Sequence, residues 1–277
     1  MRELVSSLGI VLLLTGCTTG RQSTEDWISL FNGEDLTGWD IKIAGRPLNE
    51  NFRNTFRVED NMIRISYDDY ENFDEAYGHL YYRQPYSHYK LRFEYRFTGD
   101  QTPGGAEWNV RNSGVMLHSQ SAASNAYGQT FPVSVELQLL GGLGDGPRTT
   151  GNVCTPGTAV VMGDTIDYRH CINSTSATYD GDRWVSAEAI VLGGEAMHFL
   201  IEGDTVLSFT QPQIGGGFTS RRGGQQNWEQ AGFGEAWREW VSREGEILTG
   251  GYIALQAESH PIDFRNIELL DLGKRGR

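Results

Sequence analysis

The chain lacks an apolar stretch approaching about 18 residues, so no segment is expected to cross a membrane as a helix. It is also short of positive charge, with 23 Lys and Arg against 36 Asp and Glu. The balance of −13 argues against nucleic acid and against adhesion to acidic headgroups, and is compatible with a neutral, sugar-like ligand. There is no nucleophile elbow, no P-loop and no dinucleotide fingerprint. Gly141-Gly142-Leu143-Gly144 is glycine-rich but lacks the Lys and Ser/Thr that a phosphate loop needs. Proline is scarce, and long helical periods are missing.

Cysteine is the next scarcity, with three in the chain. Cys17 follows a short apolar run, Leu8 to Leu14, and the residues Thr15 and Gly16. Arg2 supplies a positive start. This looks like a bacterial lipobox, which predicts a signal peptide over 1–16, lipid on Cys17 and a polar linker over 17–26. A plain secretory signal is the alternative. Arg2 and Glu3 leave together, so the mature chain keeps its charge. Its expected place is the cell envelope, periplasmic or outer-membrane, anchored to the membrane by lipid only. Cys154 and Cys171 then form an even pair in an exported chain, and a disulfide is the default reading. A metal site beside His170 is the weaker one.

What is present is short alternation. Candidate strands cover 27–31, 56–58, 62–66, 78–83, 88–97, 113–118, 133–139, 184–192, 196–202, 205–210, 252–257 and 264–270. In the clearest, Tyr89, Leu91, Phe93, Tyr95 and Phe97 share one face, while Lys90, Arg92, Glu94 and Arg96 share the other. Many short strands with glycine-rich turns predict an all-β sandwich, one domain over 27–272. An insertion at about 212–250 breaks the pattern. Within it Phe233, Trp237 and Trp240 or Val241 fall at helical spacing, predicting one short helix packed on the sandwich edge. Its glycines (Gly215 to Gly217, Gly223, Gly224) are also compatible with a moving lid.

The chemistry-bearing residues sit on polar strand faces. Val133, Val135, Leu137 and Leu139 alternate with Ser134, Glu136 and Gln138, so one strand exposes a lone carboxylate and an amide. Similar counting gives His118, Gln256 and Glu258, with His260 just beyond and Arg96 on the 88–97 strand. If these strands share a sheet, their polar faces line one surface. Taken singly, each residue reads as a solvated sheet face. No oxygen-ligand cluster has calcium-loop spacing; a divalent metal is compatible with the set, but its ligands are unknown.

Four motifs in order carry a family resemblance. Ser29-Leu30-Phe31-Asn32-Gly33-Glu34-Asp35-Leu36-Thr37-Gly38-Trp39 is similar to the "sLFNGkdLtGW" opening of the 3-keto-disaccharide hydrolase domain family. Asn112-Ser113-Gly114-Val115 resembles its "NSGI" strand and Glu136-Leu137-Gln138 its "E-x-Q" strand. Gly251 to Gln256 and Phe264-Arg265-Asn266-Ile267 resemble its closing segment. His118 stands where many members have arginine, and Gly141 where many have aspartate. The resemblance implies a concanavalin-like jelly-roll sandwich of two antiparallel sheets that cleaves 3-keto-glycosides. A C3 ketone acidifies the C2 proton, so one base and a carbonyl polariser suffice. Glu136 is then the base or a metal holder, and His118 the acid or second ligand. Gln138 and Gln256 hold hydroxyls; Glu258 and His260 are the alternative acid–base pair. The rival is a non-catalytic glycan-binding module, with Trp184, Tyr127 and Trp108 as stacking platforms. A two-carboxylate glucanase needs a second acid two or four residues from Glu136, where Gln138 and Leu140 stand.

Overall fold

The computed structural model describes residues 26–216 and 231–273. Cys17, the 1–16 signal, most of the 17–26 linker and the lid glycines Gly217, Gly223 and Gly224 lie outside them. The described chain forms two antiparallel sheets packed face to face, the jelly-roll sandwich that the resemblance implies.

One sheet has ten strands: β1 (Ile28–Ser29), β3 (Phe56–Glu59), β4 (Met62–Ile65), β6 (His88–Phe97), β10 (Thr158–Met162), β11 (Thr165–Asp167), β13 (Val185–Leu192), β14 (Ala196–Ile201), β15 (Asp204–Ile214) and β17 (Ile262–Asp271). The other has seven: β2 (Trp39–Ile43), β5 (Gly78–Tyr86), β7 (Asn112–Ser119), β8 (Val135–Leu140), β9 (Asn152–Cys154), β12 (Cys171–Ile172) and β16 (Gly251–Ala257). The smaller sheet runs β12-β9-β8-β7-β16-β5-β2.

Alternation builds the core between them. Tyr89, Leu91, Phe93, Tyr95 and Phe97 of β6 are all buried, as are Val135, Leu137 and Leu139 of β8. Size is complementary within the larger sheet: Ala187 and Ala189 of β13 lie opposite Phe93 and Leu91 of β6. Glu202 and Gly203 turn β14 into β15, both with positive φ, as a two-residue hairpin of the primed type requires.

Several elements differ from the sequence reading. Strands β2, β9, β10, β11 and β12 have no counterpart there. Three of them are only two or three residues long, and β10 (Thr-Ala-Val-Val-Met) is almost wholly buried, so it shows no alternation. Strand β15 runs on to Ile214, inside the stretch assigned to the insertion, where Gln213 bridges Ile247. The insertion carries a helix, α1 (Trp237–Ser242), and its stripe packs inward through Phe233 and Trp240, both buried. Of the expected lid glycines, Gly216 presses against the Thr158 carbonyl, where a Cβ would come within 2.5 Å. Close packing, rather than hinge motion, accounts for that glycine.

The outer face of the larger sheet is an ion-pair lattice. Asp263 is fully buried there and accepts from Arg64 Nε at 2.8 Å and Arg96 Nη2 at 2.6 Å. Trp184 is held between the guanidinium groups of Arg96 and Arg265, at 4.6 and 3.9 Å. Removing one partner of such a buried group strands the others. Asp263→Ala is therefore expected to lower unfolding stability in urea by about 3 kcal/mol. A loss under 1 kcal/mol on that scale would show that solvent already screens the lattice.

Candidate functional site

Strand register assembles a polar row across the outer face of the smaller sheet. Asn152 of β9 faces Gln138 of β8, and Gln138 faces Gly114 of β7. Val115 pairs with Leu255, which sets Gly114 beside Gln256 of β16. Gln256 faces His79 of β5, and His79 faces Lys42 of β2. The row is covered rather than solvated. The segment after β7 folds over it: Asn125 donates to the Tyr81 hydroxyl at 3.1 Å, Lys42 to the Tyr127 carbonyl at 3.0 Å, and Ala122 packs with Tyr81, Met116 and Ala254. All eight residues of β7 are consequently buried.

Gly114 makes room for the carboxylate. A Cβ there would lie 2.4 Å from Glu136 Oε1, so the Glu136 side chain occupies the space that a side chain at position 114 would take. This leans Glu136 from β8 across β7 toward β16. There Glu258, just past the end of β16, joins it in lining a cavity of about 510 Å³. The expected lone carboxylate is thus one of two. The second comes from a different strand, which counting along β8 cannot find.

Burial dominates the electrostatics of this pair. Glu136 is 5% exposed and Glu258 3%. Loss of solvent pushes the Glu136 carboxyl up to about 8. It raises Glu258 well above the carboxylate range as well, and the charge of Glu136 adds to that shift. Two acids that repel in a dry site hold protons that water would remove.

The walls are of two kinds. Trp108, Phe131 and Leu140 are apolar, with Trp108 55% exposed at the mouth and stacked on Tyr77. Gln138, Arg148, His170 and the Cys154–Cys171 disulfide also line it. The disulfide joins β9 to the two-residue edge strand β12, and Cys154 stands directly opposite Glu136. Arg148 is held by the carbonyls of Gly141 at 2.7 Å and Arg111 at 3.3 Å. Arg148 and Phe131 carried no sequence signal, because both sit on loops. His170 entered the sequence reading through the weaker metal-site alternative.

The structure brings Glu136, Glu258 and Gln138 to the cavity and sets Gln256 beside it in the row. Trp108, one of the expected stacking platforms, also reaches it, whereas the candidates that follow do not. His118 has φ +48, and the β7–β16 register shifts nearby, so alternation fails at this residue. Its ring lies edge-on to Tyr89 of the core, and Nε2 donates to the Gly193 carbonyl at 3.0 Å. Burial pushes it down to about 4, which leaves it uncharged. Arg96 belongs to the other sheet and is bound to Asp263. His260 packs edge-on to Phe97 and is not among the side chains that line the cavity. Trp184 is on the opposite face of the sandwich, and Tyr127 is exposed without lining the cavity. Among the described residues, no three His, Cys, Asp or Glu side chains come together as a metal cage.

No curated protein matches the sequence. Among solved structures the chain resembles a Parabacteroides distasonis protein provisionally described as a glycosyl hydrolase, with TM-score 0.52, 19% identity, and coverage of 89% of this chain and 94% of that one. A second protein of that description and organism gives 0.50, 16%, 89% and 99%. The carbohydrate-binding module CBM66 from Bacillus subtilis is more distant, at 0.44, 10%, 84% and 95%, and carries no argument. Such identities establish the two-sheet fold alone. The sequence profile of the 3-keto-alpha-glucoside-1,2-lyase-like domain matches over residues 26–270, from the first described strand almost to the last. That span decides the assignment: the chain belongs to the 3-keto-alpha-glucoside-1,2-lyase-like domain family.

Proposed function

We infer that this protein cleaves 3-keto-glycosides by elimination across C1 and C2 of the sugar, with water adding afterwards to give net hydrolysis. The observation that carries the reading is the pair of buried carboxyl groups with raised proton affinity in one cavity. Elimination needs a base for C2–H and an acid for the departing oxygen, and one such pair supplies both.

Glu136, ionised, takes the C2 proton; the C–H electrons move into the C2–C3 bond, and the ketone oxygen becomes an enediolate oxygen. Arg148, a cation in the cavity wall, is assigned to that developing charge. The electrons then return to reform the C3 ketone and make C1=C2. The C1–O bond breaks, and the proton of Glu258 goes to the leaving oxygen. Water adds its hydroxyl to C1 and its proton to C2. Gln138, bonded through Oε1 to Asn152 at 3.0 Å, is oriented to hold a substrate hydroxyl.

A base must be ionised, so kcat/KM should climb as pH rises toward the raised Glu136 value of about 8. Glu136→Gln should lower kcat on 3-keto-trehalose by roughly 100-fold or more, in the range of lost acid–base catalysis. Undiminished turnover by this variant would remove Glu136 from the mechanism. Binding of unoxidised oligosaccharide with no turnover of the keto sugar would instead favour the non-catalytic glycan-binding module.

The same shifts bear on stability. Both carboxyls bind protons more tightly folded than unfolded, so their contribution is fully present below the ordinary 4.5 and is lost as pH rises, for Glu136 through about 8. Glu136→Gln should therefore melt above wild type at pH 9 and close to it at pH 4. Equal melting points at pH 9 would mean the pair is solvated.

The lipobox completes the reading as a lipid-anchored protein of the cell envelope. Cys17→Ala should move the chain from the membrane to the soluble fraction and abolish labelling by a radioactive fatty acid. Labelling that persists would refute the anchor.

A further inference from the structure

The polar row has two unlike halves. On one side of Gly114 the side chains bind each other: Asn152 Nδ2 donates to Gln138 Oε1 at 3.0 Å, and Gln138 Nε2 to Asn112 Oδ1 at 3.4 Å. On the other side they do not. Both amide atoms of Gln256, Nε2 of His79 and Oε2 of Glu258 are buried with no hydrogen-bond partner. Gln256 is 1% exposed and His79 2%. Lys42, the next member of the row, cannot help, since it donates to the carbonyls of Ile43, Arg46 and Tyr127. Buried polar atoms are almost always paired, and a cluster of exceptions calls for a missing partner.

The cluster adjoins the cavity behind one side chain. Phe131 lines the cavity, and its ring also lies edge-on to His79, at 6.3 Å between centroids, and against Tyr77 at 4.9 Å. Burial pushes His79 down to about 3, so it is a neutral imidazole with one nitrogen to donate and one to accept.

We propose that His79 and Gln256 form a second, roofed compartment of the cavity that receives the hydroxyls of the sugar ring remote from the reacting bonds, with Phe131 as its cover. The proposal rests on Glu136 and Glu258 being the reacting pair. C1, C2 and C3 of the ring meet that pair, which leaves the hydroxyls on C4 and C6 for this compartment. Each hydroxyl donates one hydrogen bond and accepts others, which suits an amide and a neutral imidazole. His79 is thereby a specificity-determining residue.

Hydroxyl deletion tests it. Methyl 3-keto-α-glucoside and its 4-deoxy and 6-deoxy analogues are titrated calorimetrically into the Glu136→Gln protein, with and without His79→Phe, while kcat is read on the otherwise wild-type chain. At least one deoxy analogue should bind about tenfold more weakly than the parent, the usual scale of a lost hydrogen bond. His79→Phe should bind parent and analogue alike. Gln256→Leu repeats the comparison should His79→Phe not fold. Analogues that lose the same factor with and without His79 overturn the compartment while leaving the reacting pair intact. The deoxy signature without turnover by wild type keeps the compartment and removes the chemistry. A chain that neither binds nor turns over the parent overturns both.

Discussion

Everything at this site hangs on the register of the seven-stranded sheet. Its inner face supplies Val115, Leu117, Val135, Leu137, Ile253 and Leu255 to the core, all essentially inaccessible. A slip of one residue would send these into the outer layer and Glu136 into the core. The hydrophobic demand on one face therefore sets, to the residue, which polar groups line up on the other. The Asn152–Gln138–Gly114–Gln256–His79–Lys42 row follows from apolar packing that those residues do not themselves join.

Within that frame a single missing side chain shapes the centre. Gly114 leaves a space in the row, and Glu136 fills it from the neighbouring position. The lean carries the carboxyl toward the cavity edge where Glu258 lies. Covering loops then exclude water from the pair. The cost falls on stability, because each carboxylate would be better solvated in the unfolded chain. The gain is proton affinity near neutrality, which ordinary surface glutamates lack. The disulfide gives this arrangement a wall by holding the short β12 strand against β9 beside Glu136.

The strands were legible where alternation ran long. Strand β6 lies at 88–97 in both reading and structure, and the runs at 196–202 and 205–210 correspond to β14 and β15. Short β9 and β12 and the wholly buried β10 offered no period to read. At the site, Glu136 was legible because a charge at a strand position normally facing water stands out, and Glu258 because it continues the same alternation one residue past β16. His118 misled for a local reason: a left-handed backbone conformation at that residue turned the ring toward Tyr89. Arg96 misled for a global one, since identical alternation serves both sheets and does not say to which a strand belongs.

Sequence alone determined the all-β class, the cysteine pair, the acidic balance and the family motifs, because these rest on period, composition and local pattern. Tertiary structure decided which polar faces coincide, that the coinciding face is roofed, and that Glu136 has Glu258 as its neighbour. Those are consequences of pairing between strands that are separate in the chain, such as β7 with β8 and, at longer range, Val115 of β7 with Leu255 of β16. No local period encodes such pairing, and burial, which converts two ordinary glutamates into proton-holding groups, exists only once both sheets and their covering loops are in place.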